Sequence, residues 1–315
     1  MKLKFWGVRG SINSPLSPEK YREKIEKVLS FSYGEDISDK KKISDLIDSL
    51  PAHLSTTYGG NTSCVTVSDD STLLILDAGS GMRNLGNELI SGKFFNSGIS
   101  EYNIFLSHLH LDHINGLPFF SPVHFPTVRL NFYSHYKDFE KMLELQQDFN
   151  FFPVSLKSRP STKKFNVLKE DEVISIGNFT VSSKKLNHPN GSYAFSVESS
   201  GKKVVYATDA EYTAGTVLEA FFPFFGKADI LIFDTQYDFN ELAGRFSFGH
   251  STAEIGVDAA VNSEVKKLLL FHHNHESDDE KICLMYDSAK KYMNYKYPSA
   301  SVEIIIANEG MEFDL

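Results

Sequence analysis

Three histidines and one aspartate lie within residues 108–113, in the stretch "SHLHLDH" that follows the apolar run "NIFL". In an extended segment, His108 and His110 point to the same side, and Asp112 and His113 follow where the chain is expected to turn. Neutral imidazole and carboxylate are standard ligands of Zn²⁺ and related divalent ions. We therefore interpret this stretch as part of a metal site and not as a polar loop.

Complementary ligands occur at three other places in the chain. His188 lies in "LNHPNG", Asp209 ends "VVYATD", and His272 follows "LLLF". Each follows a strand-like run, so a site at one edge of a sheet would collect all three. Together with the first four residues, they are enough for two metal ions that share one bridging carboxylate.

Short apolar runs of β type recur through most of the chain and predict the elements that hold these residues. Several of the runs end in a polar residue of a chemically useful type, namely Asp77, His108, Asp209, Asp234 and His272. Helical patterns lie between some of the runs, at residues 137–149, 251–263 and 277–295. In the second of these, Ser251 and Glu254 form a capping-box pattern that predicts where the helix starts.

Residues 14–56 differ from the rest because they are charged and helical in pattern. They predict two helices, at 14–31 and 38–50. A lid, a homodimer contact and a surface decoration are all compatible with this amphipathic pattern, and dimers are the commonest soluble assembly. The chain shows no repeat and no linker, so we expect one domain over residues 1–315 with a helical insertion at 14–56.

The 315-residue chain has an ordinary globular composition, with 41% hydrophobic and 23% charged residues. Its two cysteines, Cys64 and Cys283, form no CxxC pair, which fits a reducing compartment. No stretch resembles a signal peptide or a membrane span, so we expect a cytoplasmic protein without a membrane partner. The net charge of −9 argues against an extended nucleic acid partner, whereas a small anion held by bound metal stays compatible with it.

The pattern HxHxDH, followed by a distant His, an Asp and a final His, is similar to that of the metallo-β-lactamase superfamily. The resemblance covers nearly the whole chain. It implies an α/β fold, a four-layer αββα sandwich with a binuclear site at one edge of two packed sheets. In the ligand set that it implies, the first metal takes His108, His110 and His188, the second takes Asp112, His113 and His272, and Asp209 bridges them. Asp77 matches an early strand-end aspartate that supports the histidine loop in that family.

Further motifs resemble a subgroup related to cyclic-nucleotide phosphodiesterases. These are "FWGVRGSI", "YGGNTSC", "LDAGSGMRNLG", "HINGLPFF", "FFPV" and the closing "LLLFHH". In that subgroup the last motif often reads HHDP, whereas this chain reads "HHNHESDD". Three residues are therefore candidates for one ligand position, namely His272, His273 and His275. We assign His272 because it is nearest to the strand end, which makes His273 a supporting or substrate-binding residue.

The stretch "FGHSTAEIGVDAA" is similar to a motif of ribonuclease Z and related phosphodiesterases, in which the histidine meets the scissile phosphate. A helix N-terminus offers free N–H groups to an anion, and an adjacent histidine can donate a proton to the leaving oxygen. We therefore expect His250, Ser251 and Thr252 to bind substrate and His250 to be catalytic. The resemblance also implies that Asp112 is catalytic, because it orients the metal-activated hydroxide that attacks phosphorus.

The sequence thus predicts a binuclear, metal-dependent phosphodiesterase that hydrolyses a small nucleotide phosphodiester, with a cyclic nucleotide as the first choice. Zn²⁺ suits a His-rich site best, and Mn²⁺ or Fe would satisfy the same ligands. Three alternatives stay open: a ribonuclease Z-like endoribonuclease, a hydrolase of carbonyl centres, and a metal-bearing, non-catalytic nucleotide sensor. Tyr237 and Phe248 flank the phosphate motif and are candidates for stacking on a base.

Overall fold

A computed structural model describes residues 1–92, 98–212 and 216–315, which form two seven-stranded mixed sheets. The first sheet contains, in spatial order, β14 (Glu312–Asp314), β1 (Lys2–Gly7), β2 (Cys64–Ser68), β3 (Leu73–Leu76), β4 (Glu101–Phe105), β5 (Arg129–Ser134) and β6 (Thr162–Val167). The second contains β13 (Glu303–Ile306), β12 (Lys267–Phe271), β11 (Ile230–Asp234), β10 (Lys202–Ala207), β9 (Ser192–Ser199), β8 (Phe179–Leu186) and β7 (Ile174–Ile176).

Both faces of each sheet are buried, and the central strands are apolar throughout for this reason. In β3, Leu74 and Leu76 face the second sheet, while Leu73 and Ile75 face the outer helices. The same alternation in β12 puts Phe271 between the sheets. One apolar layer therefore lies between the sheets and another lies outside each of them. This confirms the αββα sandwich that the sequence predicts.

The described helices cover the outer faces and the connections. They are α1 (Pro18–Phe31), α2 (Lys40–Ser49), α3 (Ala52–Ser55), α4 (Met82–Ser91), α5 (Leu111–Ile114), α6 (Phe139–Gln146), α7 (Thr216–Glu219), α8 (Phe222–Phe225), α9 (Phe239–Ala243), α10 (Ala253–Asn262) and α11 (Asp279–Lys296). Short 3-10 turns follow α5 at Leu117–Phe119 and Ser121–His124. Throughout the described ranges, no helix is long and apolar enough to cross a membrane.

The 14–56 segment contains the two expected helices, α1 and α2, followed by the single turn α3. Neither α1 nor α2 buries a residue. Helix α1 is attached to the start of α11 by ion pairs, of which the shortest joins Lys24 Nζ to Asp279 Oδ2 at 2.7 Å. This segment is thus held on the sandwich mainly by polar contacts.

The carboxyl ends of parallel strands meet at one edge of each sheet. Strand β3 runs parallel to β4, and β11 runs parallel to both β10 and β12. Polar residues directly follow these strands, and ligands in open α/β sheets bind at such edges. The topology therefore collects the predicted site residues at one end of the sandwich.

Candidate metal centre

The first ligand group consists of His108, His110 and His188. His108 and His110 follow β4, and His188 follows β8. One ligand atom from each residue lies within 4.8 Å of the others, and His188 Nε2 is 3.1 Å from His110 Nδ1. The structure therefore brings together the three residues that the sequence assigns to one metal.

The second group consists of Asp112, His113, Asp209 and His272, all of them buried. Asp112 and His113 lie on the single turn α5, where the chain bends away from the strand direction. His272 Nε2 is 3.3 Å from Asp112 Oδ2 and 3.3 Å from His113 Nε2. These are the residues that the sequence assigns to the second metal together with the bridging aspartate.

Asp209 lies between the two groups with one oxygen toward each. Its Oδ1 is 3.1 Å from His113 Nε2 and 3.2 Å from His272 Nε2. Its Oδ2 is 3.7 Å from His108 Nε2 and 3.9 Å from His188 Nε2. The residue lies two positions after the end of β10 and adopts a left-handed conformation with φ 54°, which turns the chain so that the carboxylate lies in the gap. This is the geometry required of a bridging carboxylate.

The hydrogen bonds of three histidines fix which nitrogen faces the centre. The Nδ1–H groups of His113 and His188 donate to Asp77 Oδ2 at 2.7 Å and to the Gly249 carbonyl at 2.9 Å. His108 Nδ1 contacts Ser107 Oγ at 3.1 Å. Since Nδ1 is occupied outside the centre, the Nε2 lone pairs converge inside it, as in metal-ligating histidines.

A divalent cation suits the atoms that converge here. His108 Nε2 is buried and has no hydrogen-bond partner among the described residues. Burial lowers the pKa of His108, His110 and His188, so these rings are neutral ligands. An unpaired buried nitrogen is costly, and coordination to a cation removes the cost. The chemistry of the donor set therefore fits two divalent ions.

Asp77 has the supporting position that the resemblance implies. Besides His113, its carboxylate accepts the backbone N–H of Ser107 at 2.7 Å, the Ser107 hydroxyl at 2.7 Å and the Tyr206 hydroxyl at 2.8 Å. It too is left-handed, with φ 61° directly after β3. Asp77 thus fixes the orientation of His113 and of the loop that carries His108.

The loop after β1 contributes residues to which sequence reasoning gave no role. The Ser11 N–H donates to Asp112 Oδ2 at 2.7 Å. A Cβ on Gly10 would lie 2.5 Å from His272 Cε1, so only glycine fits against that ring. The buried guanidinium of Arg9 donates to the carbonyls of Gly59, Asn274 and Ser277 at 2.6–3.1 Å. The signal for this loop was the "VRGS" stretch directly after an apolar strand.

His250 lies over both ligand groups and is paired with Asp234, a partner that sequence reasoning missed. Its Nδ1–H donates to Asp234 Oδ2 at 2.8 Å. Its ring centroid is 5.2 Å from that of His272 and 5.3 Å from that of His188. Burial alone would lower the pKa of His250, but the carboxylates of Asp234, Asp209 and Asp112 raise it. The position of Asp234 at the end of β11 was the available signal.

The hydroxyls of Ser251 and Thr252 both make contacts within the protein. Both residues are fully buried. The Ser251 hydroxyl donates to the Ala210 carbonyl at 2.6 Å, and Thr252 Oγ1 accepts the N–H of Ile255 at 3.4 Å. Substrate binding by these two residues stays a prediction. The predicted capping box is wrong, because Thr252 caps α10 and Glu254 instead accepts from the Ser288 hydroxyl.

Of the three C-terminal histidines, His272 is the one that reaches a ligand group in the described structure. The His273 ring is 3% exposed, and its Nε2–H donates to the Ala307 carbonyl at 2.8 Å. Burial lowers the pKa of His273 to about 3. His273 thus points away from the ligand groups, because successive residues at a strand end point to opposite sides, and its contact with substrate stays a prediction.

The two base-stacking candidates lie in different environments. Tyr237 is buried, and its ring meets that of His250 edge to face at 5.5 Å. Phe248 is exposed. Tyr237 thus supports the His250 ring from within the protein, and of the two only Phe248 presents an accessible face.

The chain is similar to known proteins over most of its length. A family model described as Beta-lactamase superfamily domain matches residues 76–273. A ribonuclease Z of Picrophilus torridus is 25% identical over 300 residues, covering 80% of this chain and 89% of that protein.

Two solved structures share the fold. The metallo-beta-lactamase fold protein YhfI from Bacillus subtilis superimposes with a TM-score of 0.63 at 19% identity, covering 99% of this chain and 98% of that chain. Unliganded yeast PDE1 superimposes with a TM-score of 0.60 at 14% identity, covering 100% and 99%.

Proposed function

Because the chain belongs to the metallo-β-lactamase superfamily, as one of its metal-dependent phosphodiesterase and ribonuclease Z-like hydrolases, we propose that it hydrolyses a small nucleotide phosphodiester, preferably a cyclic nucleotide. The observation that carries this proposal is the Asp234–His250 pair beside the bridging Asp209. A phosphodiesterase needs a proton for the alkoxide that leaves phosphorus.

The metal ions contribute through the two ligand groups, and Zn²⁺ is our first choice for so many imidazoles. Divalent ions bound there supply a nucleophilic hydroxide near neutral pH and neutralise the charge that develops on the phosphate. His108, His110 and His188 would hold one ion. Asp112, His113 and His272 would hold the other, and Asp209 would join the two.

Asp112 is proposed to orient the attacking oxygen. Its Oδ2 is fixed by the Ser11 N–H and faces His272 at 3.3 Å, at the border between the second ligand group and the N-terminal loop. A carboxylate held in this way accepts a hydrogen bond from the nucleophile and aligns it with phosphorus. Such alignment lowers the activation free energy by several kcal/mol, and in intramolecular models by about 7–11 kcal/mol at most.

His250 is proposed to donate to the oxygen that leaves phosphorus. Asp234 is an acceptor only, so the pair keeps a proton on Nδ1 and fixes the plane of the ring. The protonated ring then donates from its second nitrogen. The edge contact with Tyr237 limits rotation of the ring and keeps His250 over the two ligand groups.

A ribonuclease Z-like activity on RNA is the second candidate, favoured by the similarity to the Picrophilus torridus protein. The net charge of −9 weighs against it, because RNA binding depends on cationic contacts with phosphates. A folded precursor tRNA, incubated with catalytic amounts of the protein and resolved on a gel, separates the two. Clean endonucleolytic cleavage would favour the RNA substrate.

The direct test is a chromatographic screen of cyclic mononucleotides, cyclic dinucleotides and 2′,3′-cyclic phosphates with added Zn²⁺ or Mn²⁺. We expect at least one cyclic nucleotide to be converted to a phosphomonoester. Metal content is measured on the same samples by mass spectrometry. Two bound metal ions without turnover of any phosphodiester would instead support a non-catalytic sensor.

A further inference from the structure

A large cavity opens beside the first ligand group. Its volume is about 750 Å³, and His108 and His110 lie at one end of it. The cavity extends from them between α5 and α6, within the size range of pockets that hold small molecules. We propose that this cavity binds an apolar group of the substrate that is the size of a nucleobase or larger. This inference rests on the proposed phosphodiesterase function.

The walls of the cavity determine the chemistry of the group. Apolar side chains dominate, among them Leu109, Ile114, Phe139, Met142 and Leu145. Tyr136 also lines the cavity, but its hydroxyl donates to the Gly191 carbonyl at 2.7 Å. A flat aromatic or aliphatic group fits such walls, whereas a phosphate placed there would lose its hydration without compensation.

The charged residues of the lining argue against a polynucleotide in this cavity. Lys137 is the only lysine or arginine in the described lining, and Asp138 follows it directly. A groove for an RNA backbone needs a series of cations along its path. The substrate is therefore a compact diester in which one phosphate reaches the metal centre and a ring occupies the cavity.

The position of His250 indicates which side of the diester enters the cavity. His250 contacts the rings of His188 and His272 and is not part of the cavity wall. Because it is the proposed proton donor to the leaving oxygen, the leaving group lies on the His250 side. The cavity on the His110 side then receives the ester group that stays on phosphorus.

Helix α6 presents apolar side chains to water at this place. Met142 is 48% exposed and Leu145 is 58% exposed. Leu143, which is not part of the cavity wall, is buried in the core between this helix and the first sheet, and the wall residue Phe139 packs into the same core. The Gln146 Nε2–H group of the same helix donates to the Ile114 carbonyl at 2.8 Å and joins α6 to α5. Substitution at positions 142 and 145 therefore changes the cavity wall and leaves the anchor of the helix in place.

The test compares two substrates with the same leaving group, bis(p-nitrophenyl) phosphate and methyl p-nitrophenyl phosphate. They differ only in whether an aryl or a methyl ester stays on phosphorus. The wild-type, metal-loaded protein is compared with the double variant Met142→Gln, Leu145→Gln. The ratio of kcat/KM for the two substrates is compared between proteins, which cancels their different intrinsic reactivity.

We expect the double variant to lower the aryl-to-methyl ratio by about tenfold, the size of a lost apolar contact in a pocket. The loss is expected as a higher KM for the aryl diester, and the methyl diester, which does not fill the cavity, should be affected less. Leu29→Gln on α1 is the matched control, since Leu29 is 64% exposed and is not part of the cavity wall. The conservative Met142→Leu should keep the wild-type ratio and shows that the helix still folds.

An unchanged ratio in the double variant, or a wild type that does not discriminate between the two esters, would overturn the cavity assignment alone. Failure of the loaded wild type to hydrolyse either diester would overturn the phosphodiesterase proposal with it. A change of oligomeric state in the double variant with an unchanged ratio would identify the apolar wall as a protein interface, again against the proposal.

Discussion

The pairing of Asp234 with His250 leads to a quantitative prediction for the variant Asp234→Asn. The carboxylate accepts His250 Nδ1–H at 2.8 Å, the Gln236 N–H at 3.0 Å and the Ala210 N–H at 3.3 Å. An asparagine keeps the shape but loses the charge, and its amide nitrogen must face one of these donors. A hydrogen bond to a charged group contributes about 1.5–3 kcal/mol, and we expect kcat to fall roughly 10- to 100-fold.

The assay is a double-mutant cycle with His250→Ala, measured at saturating Zn²⁺ with a cyclic nucleotide found in the screen, because its alkoxide leaving group needs a proton whereas p-nitrophenolate does not. His250→Ala should lower kcat at least as much as Asp234→Asn. If Asp234 acts through His250, the double variant should be no slower than His250→Ala alone. Metal content is measured in parallel, and we expect two ions per chain in all four proteins.

Three outcomes would refute the reasoning. Fully additive losses of kcat would mean that Asp234 and His250 act independently. Loss of a metal ion in His250→Ala would mean that His250 is a ligand, because its ring also lies within ligand distance of His188 and Asp209. Full activity of His250→Ala would remove that residue from the reaction.

Three further predictions follow from the same site. Asp112→Ala should abolish turnover of every diester, since the residue is proposed both to bind metal and to orient the nucleophile. Residual turnover above about one per cent of the wild-type kcat would contradict its role in orienting the nucleophile. Gly10→Ala should lower the metal content toward one ion per chain, because the new Cβ would lie 2.5 Å from His272 Cε1; an unchanged content by mass spectrometry would contradict this. Arg9→Met should lower the free energy of unfolding in urea by about 3–5 kcal/mol, because it leaves three carbonyls without their charged donor and leaves Asp279 with Lys24 alone; a change below 1 kcal/mol would disagree.

The metal ligands could be predicted from the sequence because each lies at or shortly after a strand end. An apolar run such as "LLLF" or "VVYA" fixes a buried strand, and the polar residue that follows it must emerge at the sheet edge. The parallel arrangement of β10, β11 and β12 then brings separate strand ends together. The pattern of local runs was therefore enough to locate His188, Asp209 and His272 without knowledge of the tertiary contacts.

The supporting contacts could not be predicted, because they depend on backbone atoms of distant segments. Arg9 donates to carbonyls of residues 59, 274 and 277, and no pattern within the first strand specifies those partners.

Strands β6, β7 and β14 were not predicted either. Strand β6 has charged and exposed residues because it lies at the edge of its sheet, where burial imposes no apolar pattern. Helix α4 was not predicted, and Gly86 in its middle weakens the helical signal.

The sequence did not predict the contacts of individual polar residues where a local signal competed with a tertiary contact. Ser251 has the right type and spacing for a cap, yet its hydroxyl donates to the Ala210 carbonyl, and Thr252 takes the capping position. His273 is adjacent to a ligand, yet its ring turns toward β13 and meets the Ala307 carbonyl. In both cases the deciding partner lies more than 30 residues away in the chain.

The residues proposed to select the substrate class differ from those proposed to bind the metal ions. The two ligand groups would serve attack on a carbonyl carbon as well as on phosphorus, so their completeness does not select a substrate. The selection of a substrate therefore depends on the residues on either side of the bond that is cleaved. On one side Asp234 fixes His250 where a leaving oxygen needs a proton, and on the other an apolar cavity begins at His110. A phosphodiester with an alkoxide leaving group and a ring on its other side, as we propose, would use both features.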